Sequence, residues 1–135
     1  MNETKPIPTY DGCFGCGKDN PIGLHLHMKR VDDHCEAVFT PQKEHESYGD
    51  RMHGGLVTTL LDEVMGDYVL KVTGVPTYTA EINVRFRHAV PIGQALTITG
   101  WITKHHGRLV VTEGCVTAAD GTVMAEATAK MMMAK

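Results

Sequence analysis

A chain of 135 residues, 42% hydrophobic and 21% charged, is long enough for one domain with a buried core and too apolar to stay disordered. Its net charge of −3, with no sustained basic run, argues against nucleic acid as a partner, because phosphate binding needs a concentrated positive face. Apolar stretches break at Asp, Glu or Thr well short of the roughly 20 residues of a membrane helix. The polar start from Met1 to Tyr10 has no signal-peptide core, so the expectation is a cytoplasmic protein with reduced cysteines and no membrane partner.

Residues 1–12 read as an irregular arm, continued to residue 23 by the turn chemistry of Cys13-Phe14-Gly15-Cys16-Gly17 and Asn20-Pro21-Ile22-Gly23. Leu24 to Lys29 alternates and predicts a half-buried strand, Asp32-Asp33 a turn, and Cys35 to Phe39 a returning strand. A polar loop from Pro41 to Met52 carries His45, Glu46, Ser47, Tyr48 and Gly49. A helix over about 54–72 follows, with Leu56, Leu60, Val64 and Tyr68 at four-residue spacing and Val57 and Leu61 one step round. Gly74 and Pro76 stop it.

Thereafter the pattern is strand. Thr77 to Arg87 places Ala80, Ile82, Val84 and Phe86 on one side, and Pro91-Ile92-Gly93 is a turn. Leu96–Lys104, Leu109–Ala118 and Thr122–Met133 are strands joined by turns at His106-Gly107 and Asp120-Gly121. The order is hairpin, long helix, antiparallel meander: a single α+β domain over 1–135. One helix can lie in the curve of such a sheet but cannot cover both faces, so the other face and the edges fall to solvent or a second subunit.

The chemistry concentrates in His53-Gly54-Gly55 and Asp62. Free N–H groups at a helix N-terminus attract developing negative charge. A carboxylate among Leu60, Leu61 and Val64 is a candidate base or nucleophile. Gly55 and Asp62 are seven residues apart in sequence, hence roughly 10 Å apart along the axis. One acyl carbonyl cannot reach both within one helix. Two antiparallel helices across a two-fold axis could supply one group each.

These residues resemble the hot-dog-fold acyl-CoA thioesterases, in the branch of phenylacetyl-CoA thioesterase-like proteins. The resemblance is carried by Cys13-Phe14-Gly15-Cys16-Gly17 with Asn20-Pro21-Ile22-Gly23-Leu24, by His53-Gly54-Gly55 with Asp62-Glu63, by Asn83-Val84-Arg85-Phe86, and by Asp120-Gly121 before Ala125-Glu126-Ala127. It implies a long central helix wrapped by a curved antiparallel sheet. It also implies a homodimer, with dimers of such dimers as a further option, two sites at the subunit boundary, acyl-CoA as substrate and no cofactor. By the same resemblance Gly55 or Gly54 offers an amide to the thioester oxygen, and Asp62 acts as base on water or as nucleophile. The family's polar loop residue, often Asn, is here Ser47, with Glu46 or His45 as substitutes. Thr79 is the nearest match for a hydroxyl after the helix. Arg85, Arg87, Lys104 and Arg108 are candidate CoA-phosphate contacts or ordinary strand-edge charges.

Other readings stand beside these. Glu63 is turned about 100° from Asp62 and reads as a supporting wall of the substrate site. His53 either caps the helix and orients the loop or takes part in proton transfer. Gly54-Gly55 could be a packing device alone. Cys13-x-x-Cys16 reads as a plain turn with small buried side chains and no metal; the alternatives are half of a zinc site that His25, His27, His34 or Cys35 could complete, or a redox pair. At the level of function, the rivals to a thioesterase are a non-catalytic acyl-CoA or aryl-ligand binding protein on the same fold, a hydratase or dehydratase on that fold, and a zinc-stabilised interaction module.

Overall fold

The computed structural model describes residues 9–135, so residues 1–8 of the expected arm lie outside the described residues. The elements are β1 (Lys29–Val31), β2 (His34–Phe39), α1 (Gly54–Thr73), β3 (Thr77–Phe86), β4 (Leu96–His106), β5 (Leu109–Ala118) and β6 (Val123–Met133). The strands form one antiparallel sheet in the order β1-β2-β4-β5-β6-β3. The single long helix packs against β2 to β6 on one face. This is the hot-dog arrangement.

Helix α1 begins and ends where its caps dictate. His53, with extended backbone (φ −60°, ψ 131°), accepts at Nδ1 from the Gly55 N–H. Gly74 closes the other end in the left-handed region at φ 74°, its N–H donating to the Leu70 carbonyl. Val57, Leu60, Leu61, Val64, Met65, Tyr68 and Val69 are buried, and they meet Ile98, Val110, Val116, Ala125 and Met131 from the sheet. Leu56, expected on the buried face, is only half-buried at the open end of the helix.

The helix approaches the sheet most closely over a pair of glycines. Gly100 on β4 faces Gly114 on β5 in register. A Cβ at Gly100 would lie 3.0 Å from the Met65 backbone, and one at Gly114 would lie 2.8 Å from the Thr99 carbonyl oxygen and 3.1 Å from Met65 Cγ. Without side chains there, Met65 sits down into the curve of the sheet.

Four local expectations are corrected. First, β3 pairs with β6 and not with β4, so the last four strands are not a simple meander. The segment after β3 instead runs along the loop before the helix, where Val90 O accepts from Met52 N, Ile92 N donates to Asp50 O, and Gly93 N donates to Pro41 O. That path delivers β4 beside β2. Second, Leu24 and Leu26 are buried as the alternation predicts, but 24–28 is no ladder strand. Its amides at Leu24 and Leu26 donate to Phe14 and Gly15 of the preceding loop. His25 at φ 53° breaks any extended run. Third, His105 and His106 belong to β4, and the turn is Gly107-Arg108, entered by Gly107 at φ 57°.

Fourth, β3 does not keep one phase. Thr79 pairs with Met131 but Glu81 pairs with Lys130, leaving Ala80 as the extra residue of a bulge. Downstream, Ile82 and Val84 face the helix; upstream, Thr77 and Thr79 do, and Ala80 is exposed. Strict alternation would have turned Thr79 away from the helix. The bulge therefore sets up the site described next. Among the described residues the far side of β3 has no strand partner, so this long strand is a sheet edge, with Tyr78 and Phe86 more than half exposed along it. No helix among the described residues is long and apolar enough to cross a membrane.

Candidate active site

Two separate sets of groups flank α1. At its N-terminus, the His53 carbonyl accepts from the amides of Leu56 at 3.0 Å and Val57 at 3.1 Å. The Gly55 amide is taken by His53 Nδ1 at 2.9 Å. The Gly54 amide donates to no group among the described residues. Gly54 and Gly55 therefore differ: only Gly54 keeps a donor in hand. A Cβ at Gly54 would make ordinary contact with the Phe86 ring at 3.5–3.6 Å, so packing within the chain does not require glycine there.

The loop before the helix is tied to this end. His53 N donates to His45 O at 2.8 Å, Ser47 N donates to Arg51 O at 2.8 Å, and Glu46 bridges Met52. His45 is itself fixed, its Nδ1 accepting from Gln42 N at 2.9 Å. Ser47 sits half-buried on this frame, and Tyr48 beside it is 90% exposed.

Two turns into the helix, Asp62 accepts a short hydrogen bond from the Thr79 hydroxyl. Both line a cavity of about 180 Å³ whose wall includes Tyr10, Cys13, Cys16, Glu63, Asp67 and Met131. Glu63 faces the Cys13–Gly17 loop: Cys13 Sγ lies 3.5 and 3.6 Å from its two carboxylate oxygens. Burial raises the Glu63 carboxyl above its ordinary range, and the neighbouring charges of Asp62 and Asp67 push the same way against the thiol hydrogen bonds. Burial, with the Cys13 hydrogen bond and the Glu63 charge, likewise pushes the Cys16 thiol to about 12. Asp67 is satisfied differently, by Lys71 one turn on and by Cys35 Sγ at 3.4 Å.

The structure thus brings Asp62, Glu63 and Thr79 together, and His53, Gly54, Gly55 and the Ser47 loop together. Within one chain it does not bring Arg85 or Arg87 to either set. Arg85 faces the outer side of the sheet, in a groove of about 360 Å³ with Asn83, Trp101, Glu113 and Glu126. Arg87 is paired with Glu126. Sequence reasoning missed that the Cys13–Gly17 loop is a wall of the Asp62 cavity. The sequence shows Gly15 but not its neighbour; only the fold shows that a Cβ there would overlap the Glu63 side chain.

A helix amide with no partner among the described residues, a fixed carboxylate and a cavity between helix and sheet edge are parts suited to acyl transfer. The chain belongs to the thioesterase superfamily, whose family model matches residues 49–125. Among solved structures, a thioesterase superfamily protein is 24% identical with a TM-score of 0.82, over 90% of this chain and 60% of that one. The chain thus spans 60% of that relative's length. A Streptococcus mutans protein bound to acetyl-CoA is 23% identical with a TM-score of 0.74, over 81% of this chain and 88% of that one. The Escherichia coli PaaI protein of the phenylacetic acid degradation operon is 16% identical with a TM-score of 0.76, over 83% of this chain and 81% of that one. Likeness at these identities is likeness of fold. No protein of curated function matches the chain.

Proposed function

We propose that this protein hydrolyses an acyl-CoA thioester to the free acid and CoA, at a site assembled from two copies of the chain. The observation that carries the reading is the division of labour on α1. Asp62, held by Thr79, lies eight residues beyond Gly54, whose amide has no partner among the described residues. Eight residues are about 12 Å of helix, too far for both groups to serve one carbonyl. The free edge of β3 supports the second half of the proposal. Pairing two β3 edges about a two-fold axis satisfies their backbone groups and lays two α1 helices antiparallel. Gly54 of one copy then stands beside Asp62 of the other.

In this scheme Asp62 takes a proton from water as the oxygen attacks the thioester carbon. The developing oxyanion is held by the Gly54 N–H. Collapse of the tetrahedral intermediate breaks the C–S bond, and CoA leaves as a thiolate that needs little protonation. Superfamily membership and the acetyl-CoA bound by the Streptococcus mutans relative support the substrate class. The test is hydrolysis across a panel of short, long and aryl acyl-CoA esters. Turnover of at least one ester is expected, whereas tight binding by calorimetry with no product would favour the non-catalytic binding reading.

Thr79 has the role of positioning residue. Its hydroxyl fixes one oxygen of Asp62, and a hydrogen bond to a charged group is worth about 1.5–3 kcal/mol. Thr79→Val, nearly isosteric, is expected to lower kcat by about tenfold or more with KM little changed. A fall confined to KM would remove Thr79 from this role.

A further inference from the structure

We propose that Cys13, Cys16 and Glu63 form a binding site for a divalent cation of the zinc class. The proposal does not depend on the hydrolytic reading, and its readout is metal, not turnover.

The first observation is geometric. One ligand atom from each of the three residues lies within 4.8 Å of the other two. Ligand atoms around tetrahedral zinc stand about 3.5–3.8 Å apart, given bonds of about 2.0–2.3 Å. Cys13 Sγ is already 3.5 and 3.6 Å from the Glu63 oxygens. Small side-chain rotations therefore complete the set.

The second is that the loop is held in a tight turn by its own backbone hydrogen bonds and glycines. Gly17 N donates to Cys13 O at 2.8 Å, Cys13 N to Tyr10 O at 3.1 Å, and Asp19 N to Asp11 O at 2.9 Å. A Cβ at Gly17 would overlap the Asp11 carbonyl, and one at Gly15 would overlap the Glu63 side chain. Cys-x-x-Cys-Gly thus presents two thiols from one tight turn and seats them on a carboxylate of a different element.

The third is charge. Asp62, Glu63 and Asp67 share one cavity wall. Among the described residues no Lys, Arg or His lines this wall, and of the three acids Asp67 is the one with a cation partner, Lys71. Glu63 has only thiol partners there. A divalent ion held by two thiolates and a carboxylate would offset this excess, while its binding would release the thiol protons.

The donor set narrows the identity. Two thiolates are too soft for magnesium or calcium, and a carboxylate is too hard for cuprous copper; a borderline divalent ion suits the mixed set, and zinc, with cobalt as its spectroscopic surrogate, is the one we name. Three protein ligands leave one position for solvent, as in zinc sites that are not closed. The histidines that sequence alone offered as ligands lie elsewhere. His25 Nε2 bonds the Asn20 carbonyl, and His34 faces Asp33 and Glu36. Cys35 is turned to Asp67.

The test is cobalt and zinc titration of the reduced, chelator-stripped full chain, with zinc competed against a chromophoric chelator. Expected are one metal per chain and a thiolate-to-cobalt charge-transfer band. Cys16→Ser should weaken binding by more than the roughly 10–100-fold typical for loss of a ligand's outer hydrogen-bond partner. Glu63→Gln should retain the band at reduced affinity. Circular dichroism on each variant separates ligand loss from unfolding. Folded wild-type protein that shows no charge-transfer band and leaves zinc with the chelator would overturn the proposal. So would undiminished binding by a folded Cys13→Ser/Cys16→Ser variant.

Discussion

Asp62→Asn is expected to lower kcat for acyl-CoA hydrolysis by about 10²–10⁴-fold, the span attributed to a positioned general base. The change is nearly isosteric and leaves the Thr79 hydroxyl an oxygen to donate to, so the helix and the cavity should keep their shape. What it removes is the proposed base. Stability by denaturant titration should therefore change little while turnover collapses. Unchanged hydrolysis in a folded Asp62→Asn protein would take the base away from this residue.

Gly54→Pro is the second large effect, and it tests a backbone atom directly. Proline lacks the N–H, and the first helical position is where helices tolerate and even favour it. The residue before it must be extended, and His53 already is, at φ −60° and ψ 131°. The Gly54 amide has no partner among the described residues to lose, and a Cβ there meets the Phe86 ring at an ordinary 3.5–3.6 Å. Melting temperature should therefore hold or rise. Turnover should fall by about 10²–10³-fold, the cost of one oxyanion donor. Gly54→Ala keeps the amide and separates loss of the donor from crowding of the substrate. Equal losses in the Pro and Ala variants would mean that space, not hydrogen bonding, is what glycine supplies.

Much of this was legible in the sequence, for local reasons. The helix from Gly54 was visible because apolar periodicity, a capping residue and a terminal glycine all agree, and α1 spans Gly54–Thr73. Thr79 was named as the nearest match for a hydroxyl supplied by the strand after the helix, yet the alternation of β3 argued against its facing the helix. One extra residue at Ala80 reverses that alternation, and a bulge leaves no mark in a pattern of period two. The difference between Gly54 and Gly55 was equally hidden, because it rests on where the His53 ring turns. The Gly100–Gly114 seat under Met65 and the Cys13–Gly17 loop over Glu63 are meetings of residues far apart in sequence. Each needed a glycine, but a glycine does not announce its partner.

The central claim is that each site takes Asp62 from one chain and the Gly54 amide from another. It is tested by mixing two variants that are inactive alone, Asp62→Asn and Gly54→Pro, after reversible unfolding so that subunits exchange. A hybrid dimer has one site with both groups intact and one with neither. Half of the dimers are hybrids at random pairing, so about a quarter of wild-type activity should return. A mixture no more active than the separate variants, with hybrids verified by mass, would contradict the shared site.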